Sequence, residues 1–306
     1  MVERINQLIK TSLAPSTHNS YARAWELYRL CAKELKIEYD DLNSIPLSVE
    51  NVLLYIGFLS LKGYAPTTIL TYTSALSFVH KLKGVTDPTA SFVVQKAISG
   101  ALKLHDSVDS RLPITTIILE KLIMALNNTV DNPYLRKLFK AMYSVSFFAL
   151  MRVGEITSNS SGLVSLKLDQ IQFKEDYVLM SIKHFKHNAC RQPFELVLTK
   201  QKSSVICPVE ALKDYLLVRG DSDGPLFCMP NLDPISREMF TKYLKINLSY
   251  CGLNTDLYKS HSLRIGGATY YAELGLSDEQ IRLIGRWKSN AFKKYIRSRR
   301  ILLAIS

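Results

Sequence analysis

The feature that most constrains the fold of this 306-residue chain is the one place where the period of its hydrophobic pattern changes. Elsewhere apolar residues recur every three to four positions, which places them on one face of an α-helix. Within residues 164–168, 177–182 and 194–198 they alternate, which is the pattern of a strand with one buried face. The sequence therefore predicts a mainly α protein with one small, three-stranded antiparallel sheet.

The first hundred residues predict a small bundle of four helices. Ser16 or Thr17 is placed to cap the first, and Ser48 to cap the second. Pro66 opens the third, and the fourth spans about residues 90–104. A polar stretch then predicts the junction between two domains, of residues 1–108 and 109–306.

The second domain is predicted to be α+β. Its helices are expected at about residues 115–126, 133–150, 208–218, 237–250, 261–274, 278–284 and 290–299. Ser277 and Gln280 form a predicted capping box at the start of the penultimate helix. The three alternating segments lie between the second and third of these helices.

Positive charge is concentrated in the second domain. Residues 1–110 carry 11 Lys or Arg against 10 Asp or Glu, whereas residues 111–306 carry 28 against 17. The run from residue 281 to residue 300 has eight Lys or Arg and no Asp or Glu. A basic surplus of this kind favours a polyanionic partner such as nucleic acid.

Cysteine usage and hydropathy argue against several other classes. Five scattered cysteines without a C-x-x-C pair favour reduced thiols inside a cell. No apolar run approaches the length of a membrane span, and the N-terminus does not read as a signal peptide. His184, His187 and Cys190 are spaced three apart, but no fourth ligand follows at a usual spacing. We therefore predict an intracellular protein with no membrane attachment, no metal and no other cofactor.

The chemistry is concentrated towards the C-terminal end. In the segment HSLRIGG at residues 261–267, His261 and Arg264 share one face of a helix, and the two glycines let another backbone come close. About thirty residues further on, Tyr295 lies in the basic run. An H-x-x-R pair followed by a tyrosine among basic residues indicates phosphodiester chemistry on nucleic acid.

With the segments LMRVGE (150–155), GRWKS (285–289) and YIR (295–297), this motif resembles the tyrosine recombinase (phage integrase-like) family. The GRWKS and YIR segments are most similar to eukaryotic mobile-element recombinases of the DIRS-like, Ngaro-like and Crypton groups. The resemblance covers the whole chain. It implies a helical core-binding domain that clamps DNA over residues 1–108, and a catalytic domain over residues 109–306.

The resemblance also implies a role for each site residue. Arg152 and Arg264 would fork onto the non-bridging oxygens of a phosphodiester, because guanidiniums stay charged and donate in pairs. Tyr295 would be the nucleophile, and His261 would bind the phosphate or accept the tyrosine proton. Glu155 would orient an arginine.

Two positions of the site stay open. In many relatives the residue directly after the glycine is a ligand, but here Arg286 follows Gly285 and Trp287 comes one later. Either side chain could donate to the phosphate. The general acid of the family is a lysine on the turn between the second and third strands. We assign Lys186, which lies where the chain should turn, and keep Lys183 as the alternative.

The implied function is a site-specific DNA recombinase or integrase that works through a 3′-phosphotyrosyl intermediate on double-stranded DNA. The family assembles as a tetramer on synapsed duplexes, so we expect a homo-tetramer on DNA, with a monomer in solution left open. A type IB topoisomerase and a non-cutting DNA-binding protein derived from a recombinase are the alternatives. The resemblance to eukaryotic elements favours the nucleus.

Overall fold

A computed structural model describes residues 1–36, 45–104, 109–158, 166–183, 185 and 192–297 of the chain. Contacts between residues divide the chain into two compact units, Met1–Asp109 and Ser110–Ser306. Each unit has a hydrophobic core of its own. The expected fold class, mainly α with one small three-stranded antiparallel sheet, is confirmed.

The described residues of the first unit form five α-helices and one short 3-10 helix, Pro88–Ala90. The α-helices are α1 (Val2–Thr11), α2 (Pro15–Glu34), α3 (Val49–Leu61), α4 (Pro66–Leu82) and α5 (Phe92–Leu104). The last four correspond to the helices that the periodicity predicts, and α1 was not expected. They enclose a core that includes Tyr28, Tyr55 and Leu76. The hydroxyl of Tyr55 donates to the carbonyl of Ala24 at 2.7 Å, as a buried phenol requires.

The helix caps of the first unit agree with the sequence in one case and not in the other. The Ser48 hydroxyl accepts a hydrogen bond from the backbone N–H of Asn51 at 3.0 Å, so that cap is confirmed. Ser16 and Thr17 lie inside α2, which begins at Pro15 without a side-chain cap. The fixed φ of a proline suits the first helical position, so the helix starts before the expected caps.

The second unit surrounds the sheet with helices. Its described residues form α6 (Thr116–Thr129), α7 (Pro133–Phe148), α8 (Val153–Ile156), α9 (Pro208–Arg219), α10 (Arg237–Tyr250), α11 (His261–Glu273) and α12 (Asp278–Ile284). The strands β1 (Ile171–Phe173), β2 (Tyr177–Ile182) and β3 (Phe194–Thr199) pair antiparallel in the order β1-β2-β3. The capping box of Ser277 and Gln280 is confirmed at the start of α12.

The central strand follows the predicted alternation, but the first strand does not lie where it was expected. Val178, Met180 and Ile182 of β2 are buried on one face. The first strand was predicted at residues 164–168 and is found at Ile171–Phe173. Leu166 is buried, but its carbonyl accepts from the backbone N–H of Leu226 at 3.0 Å, so this part of the segment pairs with a loop and not with the sheet.

Two glycines of α11 allow the close approach that the sequence predicts. A Cβ on Gly266 would lie 1.7 Å from the carbonyl oxygen of Ile114, and one on Gly267 would lie 2.1 Å from that of Phe147. Any side chain at either position would therefore clash with backbone. The contact with Phe147 brings the start of α11, with its histidine and arginine, to the C-terminal end of α7.

The segment that carries Tyr295 is shorter and tighter than predicted. An α-helix was expected over residues 290–299, but the chain forms a 3-10 helix over Asn290–Tyr295. The Thr269 hydroxyl on α11 lies 3.0 Å from the carbonyl of Tyr295 and accepts from the backbone N–H of Arg297 at 3.1 Å. These bonds take backbone groups that a longer helix would use. Residues 298–306 lie outside the described residues.

Among the described residues, none of the helices combines the length and the apolar character that crossing a lipid bilayer requires.

Candidate active site

Helices α7 and α12 end at the site in the same way. The residue after each C-cap has a left-handed backbone: Leu150 at φ 47° and Arg286 at φ 55°. In both cases the next backbone N–H donates to a carbonyl five residues earlier, at 3.0 Å. Glycine is usual at this position, because left-handed backbone costs other residues about 1–2 kcal/mol. The two non-glycine caps face one another across a shared set of hydrogen bonds.

Arg264 lies between these two turns with no exposed surface. Its terminal nitrogens donate to the carbonyls of Leu150 and Gly285. Its guanidinium carbon lies 4.0 Å from the centre of the Trp287 ring. The Nε–H group has no acceptor among the described residues. Burial, with Arg152 and Arg286 nearby, lowers the pKa of Arg264, so the site favours an anion that would offset this charge.

Glu155 on α8 joins the other two arginines. One carboxylate oxygen accepts from Arg152 Nη1 at 2.9 Å, and the other lies 2.9 Å from Arg286 Nη2. The second oxygen also accepts from the backbone N–H of Arg152 at 2.9 Å. The Arg152 side chain is 23% exposed, whereas that of Arg286 is 1% exposed. Arg152 is therefore the guanidinium of this pair that faces outwards.

Burial by itself would raise the pKa of Glu155. The charges of Arg286, Arg152 and Arg264, together with the hydrogen bond from the Arg152 backbone, outweigh it and lower that pKa below its usual range. Glu155 is thus held as a carboxylate at neutral pH.

Tyr295 lies between two aromatic neighbours. Its ring meets the His261 ring edge-on, with centroids 4.9 Å apart, and stacks on the Trp287 ring with centroids 5.6 Å apart. Trp287 lies so close to Gly285 that a Cβ there would be 1.6 Å from the indole ring. The sequence Gly285-Arg286-Trp287 therefore turns the indole back towards the tyrosine and the arginine inwards.

Two side chains of the 3-10 helix anchor the backbone before Tyr295. Phe292 is buried in a small cluster with Leu150, Ala268 and Ile281. Lys293 pairs with Asp278 of α12 at 2.8 Å. Neither Phe292 nor Thr269 was singled out in the sequence. Phe292 had a detectable signal, because it is the one aromatic residue between Trp287 and Tyr295 in a basic run. Thr269 had none.

The structure brings together six of the residues that the sequence predicts for the site: Arg152, Glu155, His261, Arg264, Trp287 and Tyr295. Arg286, the alternative to Trp287, joins them from the buried side, where its guanidinium is bonded to the protein and not turned outwards.

The lysine assignments have a different outcome. Lys186 lies outside the described residues. Lys183 follows β2, is 49% exposed and lies 3.9 Å from a carboxylate oxygen of Asp169. His184, His187 and Cys190 also lie outside the described residues. In the part of the chain that is described, no three His, Cys, Asp or Glu residues are grouped to hold a metal ion.

Comparison with known proteins supports the same family. No protein-family model matches the chain. The chain is 24% identical over 280 residues to an integrase/recombinase XerD homolog from Selenomonas ruminantium, and the alignment covers 87% of this chain and 76% of that protein.

Three solved structures share the fold. A XerH site-specific recombinase bound to palindromic difH substrate matches with a TM-score of 0.67 and 17% identity, over 94% of this chain and 77% of that one. A lambda integrase dimer bound to a core site matches with a TM-score of 0.62 and 14% identity, over 97% of this chain and 76% of that one. The Tn1549 transposon integrase in complex with transposon right end DNA matches with a TM-score of 0.60 and 12% identity, over 90% of this chain and 94% of that one. The fold is that of the tyrosine recombinases, and these similarities support that family. A closer relationship to the recombinases of eukaryotic mobile elements stays a prediction.

Proposed function

We propose that this protein is a site-specific DNA recombinase or integrase that cuts and rejoins double-stranded DNA through a 3′-phosphotyrosyl intermediate on Tyr295. The observation that carries the proposal is the position of Tyr295, half-buried between His261 and Trp287 and next to the buried arginine cluster. The XerD homolog and the DNA-bound recombinases of the same fold support it.

The charge of the cluster suits a phosphodiester. Among the described residues, the guanidiniums of Arg152, Arg264 and Arg286 have one carboxylate partner, Glu155. A buried cluster with a net positive charge is stabilised by an anion that also accepts hydrogen bonds. Attack on phosphorus increases the negative charge on the non-bridging oxygens, and fixed guanidiniums stabilise that charge more in the transition state than in the substrate.

The reaction conserves phosphodiester bonds. The phenolic oxygen of Tyr295 attacks phosphorus, its proton passes to His261 or to water, and the bond from phosphorus to the 5′-oxygen breaks. The departing 5′-oxygen takes a proton from a general acid, for which we retain Lys186, with Lys183 as the alternative. A 5′-hydroxyl of another strand then attacks the phosphotyrosine and releases the phenol. The N–H of Trp287 is a donor for a phosphate oxygen.

The remaining parts of the proposal concern partners and setting. The first unit would clamp the duplex together with the second, and four copies would assemble on two synapsed duplexes. The GRWKS and YIR segments favour a mobile element of a nucleus as the source of the chain. These assignments rest on the family resemblance.

Formation of a covalent adduct tests the proposal. The protein is incubated with a library of nicked duplexes that trap cleavage, and adducts are separated on a denaturing gel. Tyr295→Phe should bind DNA as well as the parent and form no adduct, because only the attacking oxygen is lost. The matched control is Tyr270→Phe, on the same helix as His261. It removes a hydroxyl that lies 3.3 Å from the side-chain oxygen of Gln201.

Each outcome separates the alternatives. An adduct that persists in Tyr295→Phe, or that maps to Tyr270, contradicts the assignment of the nucleophile. Binding without any adduct in the parent identifies a non-cutting DNA-binding protein. Adducts that relax supercoiled DNA without passing a strand to a second duplex identify a topoisomerase.

A further inference from the structure

We infer that Arg286 is a positioning residue of this site, which holds the Glu155 carboxylate and the Leu150 carbonyl where they fix Arg152 and Arg264. This inference rests on the proposed function, since the reaction whose rate Arg286 controls is DNA cleavage.

The Arg286 guanidinium is turned into the protein. It lies within hydrogen-bond distance of the carbonyls of Ala149, Leu150 and Ile284, of the Met151 sulfur and of a Glu155 oxygen, at 2.9–3.4 Å. These groups belong to the ends of α7 and α12 and to α8. A guanidinium held in this way joins three helix termini and is not placed to grip DNA.

One branch of this network leads to Arg152. Glu155 divides its two oxygens between Arg286 and Arg152, so the carboxylate is clamped from both sides. Loss of the Arg286 guanidinium would leave the Glu155 carboxylate held by Arg152 alone, through its backbone N–H and Nη1, with no partner from another helix. Arg152, the outward-facing guanidinium, would then lose its fixed direction.

The other branch leads to Arg264. The carbonyl of Leu150 accepts from Arg286 Nη2 at 3.3 Å and also from Arg264 Nη1. This carbonyl belongs to the left-handed residue that ends α7. Arg286 therefore helps to hold the backbone turn against which Arg264 is placed.

The geometry also explains why this residue is an arginine. The acceptors are spread around the plane of the guanidinium, whereas a lysine ammonium is a compact charge that cannot reach them together. Arg286 itself has a left-handed backbone, which glycine adopts without strain. Arg286→Gly thus removes the side chain while it favours the local backbone conformation, so it tests the side chain without forcing the turn to change.

The experiment compares the parent with Arg286→Gly and Arg286→Lys. Affinity for a duplex target should stay within about threefold of the parent, because Arg286 contributes no DNA contact. Single-turnover formation of the Tyr295 adduct should fall by about a hundredfold in both variants, which is a typical effect of misplacing a reacting group by about 1 Å.

The pH profile separates positioning from general destabilisation. The charged groups that face Glu155 are Arg152 and Arg286, with Arg264 close by. In Arg286→Gly the largest opposing charge is gone, so the pKa of Glu155 should rise relative to the parent, and protonation of Glu155 would release Arg152 as the pH falls. The cleavage rate relative to the parent should therefore decline at acidic pH. This decline should vanish in the double variant with Glu155→Gln, which cannot titrate.

Arg219→Lys is the matched control. Arg219 is also a buried arginine of the second unit, and its donors bond the carbonyls of Gly220, Ser222, Pro225 and Leu226, outside the site. This control should lower the melting temperature but leave the cleavage rate per folded molecule and its pH profile unchanged.

Several results would overturn the inference. Cleavage within threefold of the parent in both Arg286 variants would do so, as would a loss of DNA affinity beyond tenfold or a pH decline that survives Glu155→Gln. If the variants do not fold, Glu155→Gln alone decides, since it should slow cleavage with affinity retained; unchanged cleavage overturns the inference. A parent protein that never forms the adduct instead overturns the proposed function.

Discussion

At the scale of single residues, several elements of the fold combine to bury and orient the side chain of Arg264. It is the largest of the fully buried side chains in the described part of the protein. Two carbonyls and an indole ring hold it in one orientation, and Gly285 leaves room for that ring. A buried charge held so rigidly suits the anionic transition state of the phosphoryl transfer that we propose.

We therefore expect Arg264→Lys to lower the rate of adduct formation by about a hundredfold or more, because lysine keeps the charge but loses the planar fork. Arg152→Lys should behave in the same way. Single-turnover cleavage on a saturating duplex measures the effect. Arg219→Lys serves again as the control for the loss of a buried guanidinium. If either lysine variant cleaves within threefold of the parent rate, the paired donors of the arginine that it replaces do not contribute to the reaction.

The assignment of the general acid, which remains a prediction, is also tested at single residues. Lys186→Ala should be nearly inactive on normal DNA, because the 5′-oxygen leaves as an unprotonated alkoxide. It should recover most of its rate on a substrate with sulfur at the 5′-bridging position, since a thiolate needs no acid. Lys183→Ala, three residues earlier in the chain, is the matched comparison. Rescue of Lys183→Ala and not of Lys186→Ala would move the assignment to Lys183.

At the scale of secondary structure elements, the site depends on how the 3-10 helix with Tyr295 is tied to α11. Thr269 is the tie, because its hydroxyl contacts the backbone on both sides of Ile296. The hydroxyl has one proton and lies close to two carbonyls, those of Tyr295 and Ile265. It donates to one of them at a time while it accepts from Arg297.

Thr269→Val should reduce the cleavage rate by about threefold to tenfold, the equivalent of roughly one hydrogen bond, because the Tyr295 backbone is less firmly held. Thr269→Ser should restore it. The control is Thr73→Val on α4, which removes a buried hydroxyl bonded to the carbonyl four residues earlier. Equal cleavage by Thr269→Val and the parent, measured by adduct formation at saturating DNA, would show that the tie has no part in the reaction.

At the scale of the whole molecule, charge is divided unevenly along the chain. Almost all of the surplus of 12 positive charges belongs to residues 111–306. The run around Tyr295 is the densest part of it. Contacts from such a surface to phosphates release counterions, so salt competes with binding.

Affinity for a duplex should fall by roughly a hundredfold or more between about 50 mM and about 200 mM salt. The rate of cleavage on bound DNA should survive EDTA, because in the proposed reaction guanidiniums take the role that a metal has in many nucleases. Fluorescence anisotropy measures the first and the adduct assay the second. Cleavage that EDTA abolishes and magnesium restores would identify a metal-dependent nuclease.

The sequence by itself determined most of the elements and most of the residues that the structure brings together in the candidate site. Periodicity predicted four helices of the first unit. The glycine pair at 266–267 predicted a close backbone contact, which α11 makes. Spacing placed His261 and Arg264 on one helical face, and chain order placed Tyr295 among basic residues. These are local properties, set by the geometry of a helix and by the absence of a side chain.

Only the tertiary structure decided which way Arg286 and Trp287 face. Their order in the chain leaves either as a phosphate ligand. A left-handed turn after α12 sends the arginine inwards to Glu155 and the indole outwards to Tyr295. The predicted position of the first strand was wrong for a similar reason. The carbonyl of Leu166 accepts its backbone hydrogen bond from Leu226, in a loop distant in sequence. A sequence pattern specifies that a group must be buried or bonded, but the partner comes from another element, which only the folded chain brings near.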